Sequence, residues 1–149
     1  MQVKTLLRRG LLLPAALATL GLTAIQASAQ TTVYTPIELP SSREINDTLT
    51  IDDIPTGVGG FARDYTVLLE AGDQVAVDVV SEEFDTLVTL MNKDGIAVAE
   101  NDDGPDGTTN SLLFARITES GPYTVRVRSY AGQGAGKFYL KVARLREVE

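Results

Sequence analysis

The chain has 149 residues, with 13 basic against 20 acidic for a formal charge of −7, and it contains neither cysteine nor histidine. Those two absences exclude disulfides, Ser-His-Asp and Cys-His catalysis and the usual zinc sites, because each needs a thiolate or an imidazole. The acidic balance argues against nucleic acid and anionic membrane faces as partners and favours cations.

Lys4, Arg8 and Arg9 precede an uncharged apolar run over residues 11–25, and Ala27, Ser28 and Ala29 follow as small residues. This order is the three-part pattern of a Sec-type signal peptide over residues 1–29, cut after Ala29. The run is interrupted by Pro14 and is shorter than the roughly 20 residues that a membrane-spanning helix needs. Cleavage removes three cations and no anion, which leaves ten basic and twenty acidic residues and a charge of −10. The expectation is one exported domain, secreted or periplasmic, with no membrane span after cleavage.

Residues 30–43 are polar and carry Pro36 and Pro40, which suits an extended lead-in or an edge segment. Strand signals then recur. The first covers residues 45–51, and period-two sets follow at Tyr65, Val67 and Leu69, at Val75, Val77 and Val79, and at Leu87, Thr89 and Met91. Four more cover residues 96–99, 112–117, 123–127 and 138–142. Between them lie turn residues such as Ala71-Gly72-Asp73, Asn92-Lys93-Asp94-Gly95 and Asp103-Gly104-Pro105-Asp106-Gly107. No stretch after Ala29 sustains a helical period, so the pattern predicts an all-β antiparallel sandwich of about eight strands over residues 44–146, with a tail at 147–149.

Six short motifs occur in order: Phe84-Asp85-Thr86, Asp94-Gly95, Asn101-Asp102-Asp103-Gly104, Asn110-Ser111, Ser120-Gly121-Pro122-Tyr123 and Gly136-Lys137-Phe138-Tyr139. Over residues 63–142 the sequence resembles the bacterial pre-peptidase C-terminal domain. The resemblance implies a jelly-roll-like β-sandwich that assists a secreted protease or engages its substrate or a surface. No protease domain precedes the matched region in this chain, so a module acting on its own is expected. Members related to the collagen-binding domains of clostridial collagenases hold calcium through acidic residues near the domain start. Glu44-Ile45-Asn46-Asp47 partly echoes their pattern, and the resemblance extends the candidate set to Glu44, Asn46, Asp47 and Asp64.

The residues themselves point to a second candidate. Asn101, Asp102, Asp103 and Asp106 crowd one glycine-containing loop, with Asn110 just beyond, and such oxygen-rich loops suit Ca2+. The same residue types also cap turns by accepting backbone N–H groups. Asp85 with Asp102 or Asp103 could form the carboxylate pair of a hydrolase, and Ser111 with Lys93 a Ser-Lys pair. On the strand over 123–127, Arg126 and Arg128 face away from Tyr123, Val125 and Val127. Joined by Tyr139 and Lys141, they would make a basic, aromatic patch for an anionic polysaccharide or an acidic protein. The expected function is a non-enzymatic exported binding or accessory module, calcium-stabilised, engaging a protein or polysaccharide. The alternatives are a stand-alone partner or inhibitor of a secreted protease and a carboxylate-dependent hydrolase.

Overall fold

The computed structural model describes residues 34–145, and the expected signal peptide and tail lie outside them. Short runs of β-branched and aromatic residues between turn-forming clusters give ten strands and no α-helix among the described residues. They are β1 (Ile37–Glu38), β2 (Glu44–Leu49), β3 (Ile54–Pro55), β4 (Phe61–Leu69), β5 (Gln74–Val80), β6 (Thr86–Met91), β7 (Ala97–Asn101), β8 (Ser111–Arg116), β9 (Gly121–Ser129) and β10 (Gly136–Leu145). All eight expected strands are present. The two additions, β1 and β3, are two residues long and too short to show a period in sequence.

One sheet runs β1-β4-β9-β6-β7, with β3 also on β4, and the other runs β2-β10-β5-β8. Numbering only the eight longer strands, the sheets read 2-7-4-5 and 1-8-3-6, which is the jelly-roll order. Every pairing is antiparallel except that of β1 with β4. The expected fold is therefore borne out, with ten strands in place of eight.

Alternation puts one face of each strand into a single core between the sheets. Tyr65, Val67 and Leu69 from β4, Val125 and Val127 from β9, and Val88 and Leu90 from β6 meet Val75, Val77 and Val79 from β5 and Phe138, Leu140 and Val142 from β10. The Phe138 ring takes the rings of Tyr65 and Phe84 edge-on, each with centroids 6.2 Å away. Burying each such side chain is worth about 1.5–3 kcal/mol. Strand β6 is buried on both faces, since Leu87, Thr89 and Met91 turn outward yet are covered. The register sets Arg126 and Arg128 of β9 and Glu100 of β7 beside them, long side chains whose stems lie along the sheet.

The lead-in is part of this unit. Leu39 is buried, its N–H donates to the Thr66 carbonyl at 3.0 Å, and β1 pairs with the edge of β4. The compact unit begins at Tyr34, so the expected boundary at residue 44 falls inside it.

Candidate functional site

Two loops interlock at one end of the sandwich. The loop between β5 and β6 is tied to the loop between β7 and β8 where the Ser81 N–H donates to Asn110 Oδ1 at 3.0 Å and the Thr86 N–H to the Thr109 carbonyl at 2.9 Å. The buried hydroxyls of Thr86 and Ser111 share a 2.7 Å bond just beneath. Asn101 Nδ2 donates to the carbonyls of Asp103 and Leu112, both at 2.8 Å, while its Oδ1 accepts the N–H groups of Asp102 and Asp103. Asp106 Oδ1 accepts the Thr108 hydroxyl and N–H, and these bonds hold its carboxyl below the ordinary carboxylate range. Asn101, Asp106 and Asn110 are thus fasteners of the loop.

The carboxylates of Asp85, Asp102 and Asp103 make no hydrogen bond or ion pair among the described residues. Burial, with the charges of Asp102 and Asp103 beside it, pushes Asp85 above its usual value. Among the described residues, no three acidic side chains converge into a group able to hold a metal.

The second expected metal set is dispersed. Glu44 and Asn46 sit on the outer face of β2, whereas Asp47, one position on, turns inward. Asp64 lies on the outer face of β4 in the opposite sheet, so the core separates it from Glu44 and Asn46. Each carboxylate is also committed elsewhere. Arg126 forks onto Asp64 with Nε and Nη2 at 2.8 and 2.7 Å, and the Tyr34 hydroxyl donates to the same carboxylate. This contact, with burial as the largest cause, pushes the Tyr34 phenol up to about 12.

The basic patch is corrected for the same reason of sheet order. Arg126 and Arg128 lie on the outer face of one sheet, and Tyr139 and Lys141 on the outer face of the other. All four have partners: Arg126 on Asp64, Arg128 on Glu100 at 3.6 Å, Lys141 on Glu44 at 3.6 Å, and the Tyr139 hydroxyl on Glu44 at 2.8 Å. The Ser-Lys pair is absent as well. Ser111 is buried against Thr86 at one end of β6, whereas Lys93 pairs with Asp94 in the turn at its other end.

Outside the sites expected from sequence, a network lies where β2 meets β4 across the sandwich. Arg63 Nε reaches Asp47 Oδ2 at 2.9 Å and its Nη1 reaches Asp53 Oδ1 at 2.6 Å, while the Tyr65 hydroxyl donates to Asp47 Oδ2 at 2.8 Å. Burial works to raise the Asp47 carboxyl, but the bonds from the Thr48 N–H, Tyr65 and Arg63 outweigh it and hold the group below its ordinary value. Burial first, then Asp47, drives the Tyr65 phenol far upward. Period-two alternation along β4 places Arg63 with Tyr65 on the inward side, which was the available signal. A groove of about 640 Å3, formed by the outer face of the β2-β10-β5 sheet and the loop over 81–83, was likewise not anticipated.

No family model matches the chain, and no curated protein matches it in sequence. Among solved structures, it is similar to the pre-peptidase C-terminal domain of a collagenase from Bacillus anthracis, at 15% identity and a TM-score of 0.55 over 73% of this chain and 95% of that one. It is similar to the same degree to a periplasmic inhibitor of g-type lysozyme from Aeromonas hydrophila, at 16% identity and a TM-score of 0.55 over 74% of this chain and 96% of the other. These likenesses extend over nearly the whole of both neighbours and bear out, at the level of architecture, the resemblance carried by the six motifs: the chain has the fold of the pre-peptidase C-terminal domain.

Proposed function

We propose that the chain is an exported, non-enzymatic accessory module that engages a protein partner of basic surface through the loop end bearing Asp85, Asp102 and Asp103. The observation that carries this reading is the grouping, among the described residues, of three cation-free carboxylates on two loops that are tied to each other. Asp47, Asp53, Asp64, Asp73, Glu44 and Glu100 each hold an arginine or lysine elsewhere on the molecule. The three carboxylates on the interlocked loops hold none among the described residues. Unpaired charge on a loop end fastened from below is pre-organised for an oppositely charged surface and steers its approach. The lysozyme inhibitor supports the choice of a protein as partner, since it is itself named for acting on another protein.

The test is a titration of the mature chain against a g-type lysozyme and against a secreted collagenase. Saturable binding to one of them is expected, weakening at least tenfold in an Asp85→Asn/Asp102→Asn/Asp103→Asn variant and in high salt. Binding untouched by the triple variant, or none to either probe, would overturn the reading. Inhibition of the protease on binding would favour the inhibitor alternative.

The hydrolase reading has less support. The grooves of about 640 and 620 Å3 are lined by other residues, and neither includes Asp85, Asp102 or Asp103. Calcium is a separate proposal, resting on the free carboxylates of Asp102 and Asp103 with the loop carbonyls as further oxygens. Millimolar calcium is expected to raise the melting midpoint by about 3 °C or more, as a ligand that binds only the folded state must. An unchanged midpoint removes calcium and leaves the protein-binding proposal intact.

A further inference from the structure

The groove on the outer face of the β2-β10-β5 sheet has the make-up of a ligand site, and its lining includes none of Asp85, Asp102 and Asp103, although its wall is the start of the loop that carries Asp85. Its floor is one register row, Asn46 on β2, Tyr139 on β10 and Val80 on β5, with Thr48 and Lys137 in the next row. Its wall is the loop over 81–83, and that wall is rigidly held. The Ser81 hydroxyl donates to the Lys137 carbonyl at 2.8 Å and accepts the N–H groups of Glu83 and Phe84, while Glu83 Oε2 accepts the Lys137 N–H at 3.0 Å. Gly136 lets the wall close onto the strand, since a Cβ there would meet the Glu83 carboxylate at 2.2 Å.

The groups left facing the groove are of mixed kind. The Asn46 amide, the Thr48 hydroxyl, the Glu82 carboxylate and the Lys137 ammonium make no side-chain hydrogen bond or ion pair among the described residues. The hydroxyl of Tyr139 is fixed on Glu44 at 2.8 Å, which sets the direction of its ring. Free donors and acceptors of both signs around one oriented aromatic ring do not select an anion or a cation. They match a ligand whose polar groups both donate and accept and whose C–H face stacks on an arene. The volume of about 640 Å3 lies within the roughly 300–1,000 Å3 of small-ligand clefts. The groove is open to solvent and not an enclosed cavity, which suits a chain-like ligand.

We infer that this groove binds a neutral oligosaccharide, stacked on Tyr139 and hydrogen-bonded by Asn46, Thr48, Glu82 and Lys137. The test is calorimetric titration of the mature chain with two soluble probes, cellotetraose and the tetramer of N-acetylglucosamine, with an oligogalacturonate as the anionic comparison. One neutral probe is expected to bind with a Kd at or below about 1 mM, and the anionic probe more weakly. Tyr139→Ala should weaken binding at least tenfold and Asn46→Ala several-fold, whereas Tyr139→Phe, which keeps the ring and loses only its tether to Glu44, should weaken it by no more than about threefold. The fold of each variant is checked by its melting midpoint, and neither the half-buried Tyr139 nor the exposed Asn46 belongs to the core. The Asp85→Asn/Asp102→Asn/Asp103→Asn variant should bind sugar normally, which separates this site from the protein-binding one. No heat from either neutral probe at about 10 mM, an anionic probe that binds best, or a folded Tyr139→Ala variant that binds as tightly as the parent would each overturn the inference.

Discussion

Arg126→Met should lower the unfolding free energy by about 3 kcal/mol, read as a drop in urea midpoint at unchanged slope. The Asp64 side chain is 1% exposed, and its compensation in this setting is the two-pronged bond from Arg126 and one bond from Tyr34. Removing the guanidinium strands a carboxylate that water cannot reach. The cost is the desolvation of that charge, far above the fraction of a kcal/mol typical of an exposed pair. Arg126→Met combined with Asp64→Asn removes both charges, and the double variant is expected to recover much of the loss. A single-variant loss below about 1 kcal/mol would mean that the pair behaves as a surface ion pair.

The next largest effect is expected at Gly132→Ala, about 2–3 kcal/mol, or roughly 10 °C in melting midpoint. Gly132 has φ of +69°, and a Cβ on it would lie 2.5 Å from the carbonyl carbon and oxygen of Gly59. The approach is mutual, because a Cβ on Gly60 would lie 2.7 Å from the Cα of Gly132. Backbone meets backbone there, so neither loop has a side chain to swing aside. Gly107 supplies the comparison, with φ of +72° and nothing within 4 Å of an added Cβ. Gly107→Ala should therefore cost only the conformational penalty, about 1 kcal/mol. Equal losses at the two positions would show that the close approach contributes nothing.

The strands were legible because period two survives wherever one face is buried: Val75, Val77 and Val79 read inward in sequence and are inward in the fold. Strand β6 shows the limit of that signal, since Leu87, Thr89 and Met91 alternate as a buried set yet occupy the outer face, covered from both sides. The six motifs announced the fold because several hold loops and strands in place. Phe84 packs on Phe138, Asn101 closes the loop between β7 and β8, Asn110 ties that loop to the one between β5 and β6, and Ser111 bonds Thr86. The same fact explains the candidate metal ligands, since the oxygens that looked free in Asn101 and Asp106 are spent on turns. Strand order is set by long-range pairing and leaves no local mark. Alternation alone accordingly groups Arg126 with Tyr139 as outward residues, although they lie on opposite sides of the sandwich.

Strand β7 is an edge of its sheet among the described residues, and Ile96 just before it and Val98 on it are 62% and 49% exposed. Aliphatic margins of this kind template the addition of another chain, and neither proline nor lysine guards positions 96–101. The chain's net negative charge acts on this edge as well. Copies of the same sign repel before their margins can meet, and that repulsion fades as added salt shortens its range to about 3 Å near 1 M. Net charge thus adds to the irregular β6–β7 register and to Glu100 in keeping this edge from pairing with that of another copy.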